Sequence, residues 1–236
     1  MLSYLHAFHA GNRADVVKHA ALDAVFRALR LQPRPLHYLD THSGRGLYDL
    51  SSAEARKTSE ADDGILAILA KKRRPAAITP YLDLVKKFNP PSRIRVYPGS
   101  PAIAAARLRP LDRITLCEKH PREQAALKEN FAGDERIDIK TEDGWSVLRT
   151  GLKARSDRRL IALVDPSYET PADYQDAIAL AHEIRRAPRQ SILIIWFPIL
   201  SDGRQQSLWD AAFAAGGHLV SVNWPAPETG RVGLLG

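Results

Sequence analysis

The chain has 236 residues, 34 lysines and arginines against 27 acids, and a formal charge of +7; its 44% apolar and 26% charged content is an ordinary globular balance that sets disorder aside. The single cysteine, Cys117, excludes an intrachain disulfide framework and a multi-cysteine zinc site. No apolar run approaches the ~20 residues of a membrane helix, and the N-terminus MLSYLHAFHAGNRADVVKH has no signal-peptide core, so a soluble, cytoplasmic, mildly basic protein is expected, open to a polyanionic partner.

Residues 1–13 are aromatic and polar, with Tyr4, His6, Phe8, His9, Gly11, Asn12 and Arg13 and no clear period. From Asp15 onward Val16, Val17, Ala20, Ala21, Val25, Phe26 and Leu29 recur at helical spacing, until Pro33 and Pro35 end the helix. Residues 36–40 read as a short strand passing into a glycine turn at 41–46. Residues 47–96 are charged and helical in pattern, with Lys71-Lys72-Arg73-Arg74 at one corner and no strongly apolar strand, and are expected to form a helical insertion. Apolar strands at 113–118, 136–140, 160–165 and 191–198 then alternate with helical stretches near 121–131, 143–153, 171–187 and 203–215. A last strand is expected at 219–224, and Val232-Gly233-Leu234-Leu235-Gly236 reads as the start of another, so the C-terminal strands are expected to be truncated. Alternating helices and wholly apolar strands predict an α/β fold with a mostly parallel sheet covered on both faces.

Ligands of such sheets lie outside the carboxyl ends of the strands. Those positions hold Asp40, His42, Gly44 and Gly46, then Glu118, then Asp143 and Gly144, then Asp165-Pro166-Ser167-Tyr168-Glu169. Gly44-x-Gly46 allows close backbone approach to a ligand but is more often a plain turn. The third glycine of a dinucleotide fingerprint is replaced by Asp49, and no P-loop follows. Glu118 can accept both ribose hydroxyls of a nucleoside, or sit solvated at a strand end. Asp143-Gly144 can hold an adenine amino group, although a helix N-cap is the commoner use of such an aspartate. Asp165-Pro166-Ser167-Tyr168 is the strongest local signal. Pro166 fixes φ and removes a donor. Its carbonyl and the Asp165 carboxylate offer two acceptors to one amino group, and Tyr168 offers a face on which a base can stack. A strand-ending turn with a capping aspartate is the competing use.

Asp165-Pro166-Ser167-Tyr168 resembles the (Asp/Asn/Ser)-Pro-Pro-(Tyr/Phe) signature of adenine-N6 and related amino methyltransferases. Three further blocks narrow the likeness: Ser3-Tyr4, His6, Phe8-His9-Ala10-Gly11-Asn12, Ala14-Asp15-Val16 and Lys18-His19; Leu39-Asp40-Thr41-His42; and Tyr97-Pro98-Gly99-Ser100-Pro101. Together they resemble the bacterial RlmJ family, methyltransferases of one adenine in 23S ribosomal RNA, over nearly the whole chain. The resemblance implies a Rossmann-like class I fold that uses S-adenosylmethionine without a metal, carries a small inserted helical subdomain at 47–96, and acts as a monomer on 23S ribosomal RNA that is protein-free or early in assembly. It places Lys18 and His19 over the methionine end of the cofactor and His42, Gly44 and Ser100 along its pocket. Glu118 would take the ribose and Asp143-Gly144 the adenine. Asp165, with Pro166 and Tyr168, would hold the target amine. Tyr4 and His6 would lie in a mobile tail that meets the RNA. Ser167 stands where the family usually has a second proline, Leu5 where a basic residue is expected, and Arg45 in a slot that is usually small.

Three other readings compete. A DNA adenine-N6 methyltransferase shares the Asp165 loop but needs a target-recognition domain for which 236 residues leave little room. A nucleotide-binding oxidoreductase suits Gly44-x-Gly46 and Glu118 but gives Asp165-Pro166-x-Tyr168 no role. A non-catalytic RNA-binding module on the same fold is the third. A metal site is not expected, because His6, His9, His19 and His42 come without an HExxH helix or carboxylates at ligand spacing.

Overall fold

The structure, a computed structural model, describes residues 4–187 and 190–221. In chain order come α1 (Arg13–Leu29), β1 (Leu36–Asp40), β2 (Leu47–Asp49), α2 (Ala53–Thr58), α3 (Ala67–Ala70), α4 (Thr79–Lys87), β3 (Val96–Pro98), α5 (Ser100–Arg107) and β4 (Arg113–Cys117). They are followed by α6 (Pro121–Asn130), β5 (Ile137–Lys140), α7 (Gly144–Lys153), β6 (Arg159–Val164), α8 (Pro171–Glu183), β7 (Ser191–Ile195) and α9 (Gln206–Ala214). Among the described residues no helix is long and apolar enough to cross a membrane.

Five strands form a wholly parallel sheet in the order β5-β4-β1-β6-β7. Because successive strand residues face opposite ways, Tyr38 of β1 enters one core and Leu39 the other. On the first side Tyr38 packs with Leu22 and Phe26 of α1, Ile103 of α5 and Leu127 of α6. On the second side Leu39 packs with Trp145 and Leu148 of α7 and Tyr174 and Leu180 of α8. Both faces are thus sealed along the inner strands, which is why β1, β4 and β6 are largely apolar, whereas the edge strand β5 alternates, with Asp138 exposed. Cys117, the last residue of β4, is fully buried, and that burial pushes its thiol up to about 12.

Helix α1 begins two residues before the apolar period suggests, because the Asn12 side chain accepts a hydrogen bond from the Asp15 backbone N–H and caps it. Residues 47–96, expected to form a helical insertion with no strongly apolar strand, are bracketed by two short strands: β2 and β3 pair antiparallel, with Tyr48 opposite Tyr97. The helices between them bury Ile65, Tyr81, Leu82 and Val85 in the same core as Phe26 and Tyr38. Of the strand expected at 219–224, residues 219–221 have no regular structure and the rest lies outside the described residues, as does the strand start expected at 232–236.

Candidate active site

After β1 the chain moves outward through β4 to β5, then returns to the other side of β1 to make β6. The order therefore reverses between β1 and β6, and a crevice opens there at the carboxyl ends of the strands. A cleft occupies this place. Its walls include Tyr4, His6, Lys18, His19, His42, Gly44, Ser100, Glu118, Asp165, Pro166 and Tyr168, so residues more than 160 positions apart in the sequence meet there. Asp143 and Gly144 are not among the lining residues. The Asp143 carboxylate accepts from the Ser146 backbone N–H at 3.1 Å and so caps α7. At Gly144 an added Cβ would sit 2.1 Å from the Thr41 carbonyl oxygen, so this glycine lets helix and strand end approach.

Asp165 follows β6. Its Oδ2 accepts from Lys18 Nζ at 2.6 Å, and the same ammonium lies 2.9 Å from Asp15 Oδ1. Asp15 and Lys18 stand three residues apart on α1 and so share a face. The other oxygen of Asp15 accepts from the Gly11 backbone N–H at 2.9 Å and contacts His6 Nε2 at 2.8 Å; His6 Nδ1 is 2.9 Å from the Tyr4 hydroxyl. Burial opposes charge on both Asp15 and Lys18, yet each keeps it. The charges of His6 and Lys18 hold the Asp15 carboxyl well below the usual carboxylate range, and Asp15 and Asp165 hold the Lys18 ammonium well above its ordinary value. Burial also raises the Tyr4 hydroxyl, whose ring stacks on His9 with centroids 5.5 Å apart.

Two of the expected histidines have structural partners as well as a place in the cleft. His19 Nδ1 is 2.7 Å from the Tyr97 hydroxyl, which is 2.8 Å from that of Tyr81, and burial pushes the imidazole down to about 3, so it is neutral. His42 Nδ1 is 2.8 Å from Thr41 Oγ1, and its ring stands edge-on to Trp145.

Tyr168 has φ 53°, the left-handed region that a tyrosine occupies only at a cost of about 1–2 kcal/mol. Its ring, 7% exposed, packs against Tyr174 with centroids 4.6 Å apart, and its buried hydroxyl has no hydrogen-bond partner among the described residues. Glu118, at the end of β4, accepts from the Gly44 and His120 backbone N–H groups at 2.8 and 2.7 Å, one on each oxygen. Burial raises its carboxyl above the ordinary value against those two hydrogen bonds. Each oxygen keeps a second lone pair for a further donor. Gly44 has φ 59°, and an added Cβ would lie 2.2 Å from the Tyr48 hydroxyl oxygen, so no larger residue gives this turn.

Some of the machinery was not legible as such. Asp15 reads in sequence as the first turn of a helix, and its contacts to His6 and to the Gly11 N–H form only once the preceding residues fold back beside α1. Tyr48 and Tyr97 sit on strands too short to predict. Arg45, in a slot expected to be small, donates to both oxygens of the buried Glu123 at 2.8 and 2.5 Å, and Glu123 in turn forms part of the wall. An i, i+3 acid–lysine pair at Asp15 and Lys18 is the one sequence signal that marks this hub, and on most helices it marks a solvated surface instead.

Asp40 ends β1 beneath the cleft. It is fully buried and accepts from the Tyr38 hydroxyl at 2.8 Å and, more weakly, from the His42 N–H at 3.3 Å. Burial pushes its carboxyl up to about 6, from an ordinary 3.8, with hydrogen bonds from Ser100 and Tyr38 opposing. Between about pH 4 and 6 the folded chain therefore holds a proton that the unfolded chain has released. This group stabilises the fold below pH ~4, and that contribution is lost as pH rises through about 6. Asp40→Asn removes the dependence, so the stability of the variant relative to the parent should rise by on the order of 2 kcal/mol from pH 4 to pH 7. Denaturant melts at several pH values measure it, and a difference that stays flat would show that ionised Asp40 is accommodated without penalty.

Known proteins resemble this chain at several levels. The family described as "Ribosomal RNA large subunit methyltransferase D, RlmJ" matches residues 33–215. Ribosomal RNA large subunit methyltransferase J of Escherichia coli (strain K12) is 40% identical over 200 residues, 85% of this chain and 71% of that protein. The protein of the same name from Haemophilus influenzae is 39% identical over 208 residues, 88% of this chain and 73% of its own. A crystal structure of a Legionella pneumophila protein superposes with a TM-score of 0.79 at 32% identity, covering 88% of this chain and 76% of that one.

Proposed function

Because the chain belongs to the RlmJ family of large-subunit ribosomal RNA methyltransferases, we propose that it moves a methyl group from S-adenosylmethionine to the N6 amino group of one adenine in 23S ribosomal RNA. The observation that carries this reading is the meeting, at the switch point of the sheet, of Asp165, Pro166 and the strained Tyr168 with Glu118 and the Gly44 turn. The substrate is the RNA free of protein or early in assembly, and the protein acts as a cytoplasmic monomer.

The residues present fit the cofactor. Glu118 has acceptor capacity left for two ribose hydroxyls, His120 Nδ1 is buried without a partner among the described residues and lines the same cleft, and the Gly44 turn admits close approach. Lys18, His19, His42 and Ser100 line the remainder of the pocket. S-adenosylmethionine, when bound, supplies an electrophilic methyl group. The chain supplies position and electrostatics. Adenine N6 is a poor nucleophile because its lone pair is delocalised into the ring. Asp165 uses Oδ2 for Lys18, and its Oδ1 together with the Pro166 carbonyl gives two acceptors for the two N–H groups of the amine. Drawing both N–H groups to those acceptors favours a pyramidal nitrogen with its lone pair exposed. Lys18, itself fixed by Asp15, keeps the Asp165 carboxylate in one orientation. The base must leave its stack at a cost of a few kcal/mol, which the Tyr168 ring offsets in part. The products are the N6-methylated adenine, S-adenosylhomocysteine and one N6 proton, which passes to Asp165 or to water, and no covalent bond to the chain is needed.

The test is methylation of protein-free 23S RNA with labelled cofactor, followed by mapping of the modified base. A single N6-methyladenine is expected. Methylation of DNA instead of RNA, or heat of binding from NAD but not from S-adenosylmethionine, would overturn the reading. Glu118→Ala should weaken S-adenosylmethionine binding by roughly 10- to 100-fold, since it removes hydrogen bonds to a charged acceptor worth about 1.5–3 kcal/mol. Calorimetry measures this, and unchanged affinity would take Glu118 out of the ribose site.

A further inference from the structure

At the opposite end of the sheet from Asp40 and Asp165, the amino-terminal edge carries arginines that the mechanism does not use. Arg34 lies two residues before β1, while Arg113 and Arg159 open the strands on either side of it: His37 pairs with Arg113 and Leu36 with Arg159. Neighbouring strands are about 4.8 Å apart, so the three side chains leave the edge across roughly 10 Å.

Their partners are neutral. Arg34 donates to the Asp157 carbonyl and to Gln190 Oε1, both at 2.8 Å. Arg159 donates to Gln32 Oε1 at 2.7 Å and to Gln190 Oε1 at 3.2 Å. Arg113 donates to the Asp112 carbonyl at 3.0 Å. Of the acids in the neighbouring loops, Asp112, Asp134 and Asp157 are each bound to another arginine, respectively Arg109, Arg136 and Arg158, and Glu135, which shares a shallow surface hollow with Arg113, forms no ion pair with it. Among the described residues no carboxylate pairs with Arg34, Arg113 or Arg159. A guanidinium tied to neutral oxygens keeps its full charge yet loses rotational freedom. It is a fixed, uncompensated fork, suited to bidentate contact with phosphate.

We infer that this edge is a second contact surface for the RNA, holding phosphates of a segment remote from the target adenine. The inference rests on the functional reading above. The five residues of β1 rise about 16 Å, so an RNA that reaches both the edge and the cleft must extend well past the flipped nucleotide. An RNA partner is favoured over an acidic protein because the enzyme already holds RNA at the other end of these strands. The exposed leucines of this edge, Leu31 and Leu111, are two residues among charged and polar ones rather than an apolar anchor.

The test compares a long 23S fragment with a short stem-loop bearing the target adenine, each bound at several salt concentrations by wild type, by Arg34→Gln/Arg113→Gln/Arg159→Gln, and by the matching triple lysine variant. The glutamine variant should bind the long fragment at least about 10-fold more weakly, and the slope of log affinity against log salt should shrink by about 2–3, since each phosphate contact contributes roughly 0.7–0.9. Its affinity for the stem-loop and for S-adenosylmethionine should match wild type, and the lysine variant should keep most of the salt slope. Should the triple variant not fold, Arg113→Gln alone, at an exposed strand end, should take away about one third of the slope change. A folded variant that binds both RNAs with wild-type affinity and slope overturns the inference. So does a polyglutamate ligand that binds wild type and not the variant while RNA binding is unchanged. A wild-type protein that methylates neither RNA overturns the functional reading itself, which the variants' binding curves do not touch.

Discussion

Asp165→Ala should lower single-turnover methyl transfer by about 1,000-fold or more at saturating cofactor while the protein stays folded. The size follows from the role proposed for the carboxylate as one of two acceptors that localise the lone pair of the amine, since groups aimed at developing charge in a closed site contribute about 10²–10³ each. Here the same change also frees Lys18 from its 2.6 Å partner inside the cleft. The fold should survive because the buried ammonium is not orphaned. Asp15 remains 2.9 Å away and is fixed in turn by the Gly11 N–H and by His6. Asp165→Asn keeps the volume and one acceptor but loses the charge that holds Lys18, so it should retain only slightly more activity. Transfer within 10-fold of the parent in either variant, with an unchanged melting profile, would remove Asp165 from the chemistry.

Gly144→Ala should destabilise the fold by about 3 kcal/mol or more, since overpacking a closed contact costs 1–3 kcal/mol and this one meets backbone rather than a movable side chain. The added methyl would stand 2.1 Å from the Thr41 carbonyl oxygen and 2.8 Å from its Cα. Thr41 cannot retreat. Its N–H and its hydroxyl both donate to the Leu163 carbonyl at 3.1 Å, which staples the end of β1 to β6 at the floor of the cleft. A chain of this length should melt roughly 6–12 °C lower, with cofactor affinity falling in parallel as α7 shifts away from the strand end. Gly151→Ala on the same helix is the control. Its Cβ would meet Leu39 Cδ1 at 3.5 Å and Leu160 Cδ2 at 4.0 Å, both ordinary contacts, so helix propensity should leave it neutral or slightly stabilising. Equal melting temperatures for the two variants would contradict the account.

The strands of the sheet were legible because both faces are covered: Leu36-His37-Tyr38-Leu39-Asp40 and Leu160-Ile161-Ala162-Leu163-Val164-Asp165 each show an apolar run ending in an acid, and both acids come to lie at the switch point. The ribbon of β2 and β3 was not, since three residues per strand fall below any period, and its pairing depends on the chain returning 47 residues later to the same place. At the site, the proline of Asp165-Pro166 announced a rigid loop, whereas the left-handed backbone of Tyr168 had no local cue, because a tyrosine adopts it only when its surroundings compel it. Asp143 carried two meanings in sequence, ligand and cap. In the structure it caps α7, and a single carboxylate gives no way to choose before the helix is in place. Asp15 and Lys18 form the least legible part: a pair at helical spacing is commonplace, and what makes this one unusual is the stretch of backbone laid across it.

Cys117 has a practical use. The sole thiol of the sequence is fully buried and protonated well above neutral pH, so maleimides and other thiolate-seeking reagents should leave the native protein untouched. A cysteine placed at an exposed position then becomes the one reactive handle without a prior cysteine-free background. Leu31→Cys, at a side chain 85% exposed on the arginine edge, would accept a photo-crosslinker there, and Leu5→Cys, at a half-buried position, would put a fluorophore in the N-terminal segment beside Tyr4 and His6. Chemical labelling can thus interrogate the two ends of the sheet separately, in the otherwise unaltered protein.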